Sequence, residues 1–350
     1  MKGLVQILIA IVAIVVVALG VGYFVLPKQA TVERSVQIPR PAASVYALLA
    51  STPAGSPFAA GTQTVTAEGA DKPVKAVIAL DEKSSLDAAY TLTKSGDGVK
   101  VSLKATAPLG DNPIARIQGA LGGGAAGKVL ETGLQALSTE AEKLPTADFG
   151  SLKFEVVDVA AKPFLYLDAE TPNDAASIKE GVAQATKIIQ TLIIANNLKP
   201  DGSPIAVETK WDEAQKKYAF LAGQPYTGPS PKLLIGVKSG QTPSGTAVKV
   251  LYEGTEDQVI PVYDQIEAAI AASRGEKAGP SFEVYLDDAS QPGGSVKRHI
   301  YQIVKGDLTT LRALSTPGAT MTPAAPAAAP AAPAEAAPAA PAAPVPATTP

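Results

Sequence analysis

The sequence has no cysteine and only one histidine among its 350 residues. Without cysteine the chain can form no disulfide bond, no thiolate nucleophile and no cysteine-ligated zinc site. A single histidine leaves little material for a histidine-rich metal site or a Ser-His-Asp triad. Any chemistry must therefore depend on carboxylates, hydroxyl groups and the backbone, and neither a metal nor another cofactor is predicted.

The chain also has no excess of basic residues. Lys and Arg total 30 against 33 Asp and Glu, and the isoelectric point is near 5.4. This balance provides no basic patch of the kind that nucleic-acid-binding domains use, so nucleic acid is not a predicted partner. The length allows two ordinary domains with additional segments.

Residues 4–26 carry no charge, and Gln6 is their only strongly polar side chain. At about 1.5 Å per residue, a helix of this length would cross a hydrocarbon core about 30 Å thick. We therefore predict an uncleaved transmembrane anchor at residues 1–30, with a cleaved signal peptide as the alternative. This predicts a single-pass protein of the bacterial inner membrane. The short Met-Lys tail favours a periplasmic body, whereas the cations after the span favour a cytoplasmic one.

Residues 31–145 begin with an alternating strand, Thr31 to Arg40, and a helix that opens at Pro41. The last helix of this region carries an apolar stripe made by Leu130, Leu134, Leu137 and Ala141. The region resembles a START-like (SRPBCC, polyketide cyclase) domain, which implies a curved antiparallel sheet gripping that helix around an apolar cavity. The segment between the first helix and Lys75 lacks the aromatic residues that this family usually carries there, which favours a structural role.

Residues 122–129 fit the spacing G-x-x-x-x-G-K of a phosphate-binding loop. Val129 stands where that loop needs Ser or Thr for magnesium, and a helical pattern precedes it where a strand is required. We therefore predict a joint between two helical segments, since glycine weakens a helix interior.

Residues 151–308 contain an internal repeat, with roughly eighty residues between the two helix centres. Each half has the order strand, strand, helix, Gly/Pro entry, strand, strand. Two half-domains with matching faces generate a cleft where they meet, and such a junction is a usual place for a small ligand.

The strand that follows the second helix has Glu283 and Tyr285 on one face and Phe282, Val284 and Leu286 on the other. We predict that the Phe282 face packs on the apolar stripe of the helix at residues 259–270, which leaves the other face to line the cleft.

The run from Val250 through this Glu-x-Tyr pair to Val304 resembles the second half of a GyrI-like domain, the effector-binding domain of AraC- and MerR-type regulators. The resemblance implies a small-molecule cleft in which the glutamate of the pair meets a cationic or otherwise polar ligand. Glu283 is the matching residue here. In the alternative interpretation, Glu283 is exposed and paired with Lys297 or Arg298 on the neighbouring strand.

We predict an α+β protein that binds a small molecule, such as a lipophilic or amphipathic cation, at its membrane. The candidate ligand-binding residues are Glu283, Tyr285, Trp211, Tyr218, Phe220 and Tyr252. Two alternatives stay open, a hydrolase that uses Glu283 with Tyr285 as general acid or base and a non-catalytic envelope scaffold. The sequence shows no basic recognition helix, so a transcription regulator is not predicted. Residues 309–350 are predicted to be a disordered Pro/Ala-rich tail.

Overall fold

A computed structural model gives the fold and describes residues 2–53, 56, 58, 74–79, 85–120, 124–287, 296–318 and 320–321. Within this part of the chain there are seven α-helices and fourteen strands. The helices are α1 (Lys2–Phe24), α2 (Ala42–Ser51), α3 (Pro113–Ala120), α4 (Gly124–Ala141), α5 (Ala175–Ala195), α6 (Val259–Ala272) and α7 (Thr309–Ala313).

The strands form two sheets in which nearly all neighbours are antiparallel. The strands of the first sheet are β1 (Gln29–Ile38), β2 (Val74–Ala79), β3 (Ser85–Ser95) and β4 (Gly98–Pro108). Those of the second are β5 (Glu155–Val159), β6 (Pro163–Pro172), β7 (Lys199–Pro200), β8 (Ile205–Asp212), β9 (Lys217–Thr227), β10 (Lys238–Gln241), β11 (Gly245–Gly254), β12 (Glu276–Tyr285), β13 (Val296–Lys305) and β14 (Thr320–Met321). The predicted α+β class is confirmed.

The first sheet has the strand order β1-β4-β3-β2 and is covered by α4. The predicted stripe of α4 is buried, with Leu130, Leu137 and Ala141 fully inaccessible to solvent. These residues recur every three or four positions, so they share one side of the helix and bury it against the sheet. The resemblance of this region to START-like domains stays a prediction.

The glycine-rich segment separates two helices. Helix α3 ends at Ala120 and α4 begins at Gly124, whose φ of +52° lies in the left-handed region that favours glycine. Residues 121–123, which include the first two residues of the phosphate-loop-like motif, lie outside the described part.

The second sheet has the order β10-β6-β9-β8-β12-β13-β11-β14, and β5 also pairs with β11. Its two halves have the same arrangement. In the first half β9 pairs with β6, which precedes α5, and with β8, which follows α5. In the second half β13 pairs in the same way with β11 and β12, which precede and follow α6. Strands β8 and β12 join the halves antiparallel at the centre. The edge strands are exchanged, since β5 pairs in the second half and β10 in the first.

Helix α2 connects the two parts of the molecule. It packs against α6 and α7, and its Ala47 is fully buried in the core of the second half. The Ser51 hydroxyl donates a hydrogen bond to the Ala272 carbonyl at the end of α6 (3.1 Å). Helix α7 lies within the segment predicted to be a tail, and its Leu311 is also buried in this core. The Pro/Ala-rich residues 322–350 lie outside the described part.

In the described part of the chain, no helix has both the length and the apolar character needed to cross a membrane. The end of α1 is docked on α3, where Arg116 donates a hydrogen bond to the Tyr23 carbonyl (2.5 Å). The finding overturns the predicted anchor, and with it the single-pass topology, the membrane partner and the inner-membrane localisation.

Candidate functional site

A cavity of about 590 Å³ lies between the first turns of α5 and α6, on the face of the central strands that the helices cover. Both halves of the repeat contribute to it. Strands β8 and β9 supply Glu208, Trp211 and Tyr218, and β12 and β13 supply Glu283 and Arg298. The cavity therefore occupies the junction that the internal repeat predicts.

Alternation along β12 determines which side chains reach the cavity. Ser281, Glu283 and Tyr285 line it, whereas Phe282 lies on the opposite face and stacks on Tyr301 with ring centroids 4.5 Å apart. The prediction that α6 packs on the Phe282 face is wrong, because Val262, Ile266 and Ile270 of α6 pack with β11 and β13 on the Glu283 side. Both faces of this sheet are apolar, so alternation could not show which one meets the helix.

Glu283 is held by partners on both carboxylate oxygens. Its Oε2 pairs with Nη1 of Arg298 at 2.5 Å, and its Oε1 accepts a hydrogen bond from the Tyr263 hydroxyl at 2.7 Å. Nη2 of Arg298 pairs with Oε2 of Glu256 at 2.5 Å, and the guanidinium lies 4.7 Å from the centre of the Tyr285 ring. Arg298 is only 2% exposed. One buried cation thus neutralises part of the charge of two carboxylates.

The electrostatics of this cluster keep its phenols neutral. Burial raises the pKa of Tyr263, Tyr285 and Tyr218 well above the usual range, and the nearby Glu283 charge raises each of them further. Burial also raises the pKa of Glu256, although Arg298 opposes this effect. Burial alone would lower the pKa of Arg298, but the surrounding carboxylates raise it, so the guanidinium stays charged.

Glu208 occupies the other side of the cavity floor. It lies opposite Ser281 at the junction of β8 and β12, and its Oε2 accepts a hydrogen bond from the Ser281 hydroxyl at 2.7 Å. No ion pair joins Glu208 to a residue that the structure describes. This carboxylate is half-buried and has a neutral donor as its partner.

An aromatic wall borders Glu208. Trp211 meets Tyr218 edge to face at a centroid distance of 5.5 Å, and Tyr218 stacks on Phe220 at 5.0 Å. Trp211 keeps 38% of its surface exposed, so its ring is open to a bound molecule. Such faces attract cations through the quadrupole of the ring.

The cavity lining is strongly acidic. Among the lining residues that the structure describes, Lys277 and Arg298 are the only basic ones, and Lys277 is already paired with Glu267 at 3.2 Å. The acidic residues of the lining are Asp174, Glu208, Glu256, Asp257, Asp264, Glu267 and Glu283. Within the described residues, no three acidic, histidine or cysteine side chains are grouped as a metal would require. The described lining therefore carries a net negative charge.

Residues 152–302 match the family model of the GyrI-like small molecule binding domain. This segment is a GyrI-like domain. The match includes both halves of the repeat and every strand that lines the cavity. Small-molecule binding is therefore the function that the family implies for this part of the chain.

Solved structures of low similarity align with the GyrI-like fold. The EcmrR C-terminal domain has a TM-score of 0.39 and 14% identity, over 44% of this chain and 97% of that domain. In the EcmrR–DNA complex the alignment spans 57% of the EcmrR chain. A hydrolase encoded by lin2189 from Listeria innocua has a TM-score of 0.33 and 14% identity, over 44% of this chain and 92% of that one.

SAV2435 bound to tetraphenylphosphonium has a TM-score of 0.32 and 13% identity, over 45% of this chain and 96% of that one. A comparison with curated proteins found no match. Similarities at this level assign no ligand and no reaction to the GyrI-like domain of this chain.

Four of the six predicted binding residues line the cavity of the GyrI-like domain, namely Glu283, Tyr285, Trp211 and Tyr218. Phe220 is 1% exposed and lies behind Tyr218. Tyr252 is fully buried, and its hydroxyl donates a hydrogen bond to the Thr255 carbonyl. The ligand-binding role of the set stays a prediction.

The sequence interpretation missed three residues of the site. Tyr263 was assigned to the apolar stripe of α6, whereas its hydroxyl reaches Glu283. Glu208 and Glu256 received no role. The internal repeat contained a signal for Glu208, because β8 occupies the place in the first half that β12 occupies in the second, and these two strands pair with each other. The alternative interpretation named Arg298 as the partner of Glu283, but it placed the pair in solvent, whereas the pair is buried.

Proposed function

We propose that the GyrI-like domain of this chain binds an amphipathic organic cation in the cleft between its two halves. The observation that carries this proposal is the excess of carboxylates in a cavity that also has an aromatic wall. A volume of about 590 Å³ lies within the range of roughly 300 to 1,000 Å³ that small-molecule sites occupy.

Charge and aromatic surface together favour a cation that is also apolar. A buried or half-buried carboxylate is costly unless a positive charge lies near it. The exposed face of Trp211 and the neighbouring Tyr218 ring would add cation–π attraction, on the order of 0.5 to 2 kcal/mol for each contact. The apolar groups of the ligand would lie on Ile178 and Ile260, which line the mouth of the cavity from the two helices.

Tetraphenylphosphonium is a suitable probe, because it is a lipophilic cation and a GyrI-like fold of low similarity has been solved with it. Trp211 is the only tryptophan of the chain and lies in the cavity, so its fluorescence reports occupancy directly. We expect saturable quenching by tetraphenylphosphonium and a much weaker response to triphenylphosphine oxide, a neutral molecule with similar rings. Calorimetric titration checks the same affinities without the fluorophore. Equal affinity for the two compounds would contradict the proposal.

Catalysis by Glu283 is a weaker candidate. A general acid or base must reach the proton that it transfers, and both oxygens of Glu283 already have partners within the protein. The geometry therefore supports a binding function over the hydrolase alternative. A purely scaffolding role leaves the acidic cavity without an explanation.

A further inference from the structure

We propose that the positive charge of the ligand is bound by Glu208, while Arg298 acts as a built-in counter-ion that withdraws Glu283 from ligand recognition. This inference rests on the proposed function and assigns its charge-recognition residue. It departs from the role that the Glu-x-Tyr resemblance implies for Glu283.

The first step is the occupancy of Glu283. Arg298 is 2% exposed, lies 2.5 Å from Oε2 of Glu283, and belongs to the neighbouring strand of the same sheet. Charge-assisted hydrogen bonds of this length are among the strongest in proteins. A ligand cation would have to displace a tethered guanidinium from Glu283 or share the carboxylate with it. Repulsion between the two cations opposes the second arrangement.

The second step concerns Glu256, which has two sources of positive charge. It pairs with Nη2 of Arg298 at 2.5 Å, and it lies in the short turn, residues 256–258, that leads into α6. The unpaired backbone N–H groups at the start of a helix carry a partial positive charge. Glu256 therefore already has a cationic partner within the protein.

The third step is the contrast at Glu208. This carboxylate belongs to a central strand, and its partner is the neutral hydroxyl of Ser281 at 2.7 Å. Among the partly buried carboxylates that the structure describes around the cavity, Glu208 is the one without an ionic partner. Trp211 of the same strand and Tyr218 form the aromatic wall beside it. A cation placed here would meet one carboxylate and the aromatic wall of Trp211 and Tyr218.

Three isosteric substitutions test the assignment in the full chain, with tetraphenylphosphonium as the probe. Glu208→Gln keeps an oxygen for Ser281 but removes the charge, and we expect the affinity to fall about tenfold or more, as for loss of a charged contact. Glu256→Gln and Glu283→Gln remove a charge from the same cavity, and we expect the affinity to change much less. Thermal unfolding of each variant shows whether it is folded at the temperature of the titration.

Each result has a definite meaning. Retention of wild-type affinity in Glu208→Gln, together with its loss in Glu283→Gln, would overturn the inference and leave the proposed function intact. An equal loss in Glu208→Gln and Glu256→Gln would also overturn it, because binding would then depend on the summed negative charge. This comparison remains decisive if Glu283→Gln does not fold. Failure of the unmodified protein to prefer tetraphenylphosphonium over triphenylphosphine oxide would reject the proposed function itself.

Discussion

The two halves of the GyrI-like domain share one strand order but differ in how their helices and charges are supported. Helix α6 of the second half packs against α2, and Arg298 and Glu283 of the strands beneath it form a cluster with Glu256 of the turn before it. Helix α5 of the first half keeps exposed apolar residues, with Ile194 at 76%. Its strands present the aromatic wall and the unpaired charge of Glu208.

This difference shows that two halves with the same strand order can carry different kinds of side chains at a shared cavity. The second half neutralises part of its interior charge with its own arginine, which holds Glu283 and Glu256 in fixed positions on its side of the cavity. The first half leaves a carboxylate and a half-exposed tryptophan on its side, and these groups can respond to a bound cation. Packing and charge balance, and not strand order, distinguish the halves.

The most severe test of the comparison is Arg298→Met. Removing the guanidinium leaves two carboxylates without their cation in a buried position, which is expected to lower the free energy of unfolding by about 3 to 5 kcal/mol. Chemical denaturation measures this change. Lys277→Met is the matched control, since its ion pair with Glu267 is half-exposed and worth less than about 1 kcal/mol. Similar small losses in both variants would show that Arg298 does not organise the second half.

A smaller effect is expected at the two cavity tyrosines, one from each half. Tyr263→Phe removes the hydroxyl that donates to Glu283 at 2.7 Å, and loss of a donor to a buried charged acceptor costs about 1 to 3 kcal/mol. Tyr218→Phe serves as the comparison, because no hydrogen bond joins its hydroxyl to a described residue, and we expect a change within about 0.5 kcal/mol. Equal destabilisation of the two variants in urea would contradict the proposed asymmetry.

The pH dependence of stability gives a third contrast. Burial raises the pKa of Glu256, so its contribution to stability is fully present below the pKa of the unfolded chain and is lost as the pH rises through the folded value. We therefore expect Glu256→Gln to remove a loss of stability that the unmodified protein shows between acid and neutral pH. Denaturation midpoints at a series of pH values measure this effect. An unchanged slope in the variant would refute it.

The smallest expected effect is a dependence of stability on pH that has the opposite sign to that of Glu256, and it arises in the first half. Asp174 accepts hydrogen bonds from the backbone and hydroxyl of Ser177 at the start of α5, and these bonds lower its pKa. Its contribution is present above the pKa of the unfolded chain and is lost as the pH falls through the folded value. Asp174→Asn keeps a good N-cap and should remove a small acid-side loss of stability. A variant that loses stability in acid as steeply as the unmodified chain would count against this cause.

Some features followed from local patterns and others did not. The period of two along β12 predicted that Glu283 and Tyr285 share a face, and the spacing of the leucines in α4 predicted its buried side. The same period could not predict which face of β12 meets α6, since that depends on how the connection between α6 and β12 places the helix over the sheet. The hydropathy of residues 4–26 led to the wrong prediction of a transmembrane anchor, because an apolar run shows that the side chains avoid water but not what they pack against.

By itself, the sequence determined the periodic and compositional features of this protein. These are the repeat at residues 151–308, the alternation that aligns Glu283 with Tyr285, and the absence of cysteine with a single histidine. Only the tertiary structure decided the charge partners. Arg298 reaches Glu283 and Glu256 because β13 pairs with β12 and α6 begins over the same face, whereas Glu208 meets only Ser281. The balance of charge depends on distances across strands, which no local period specifies.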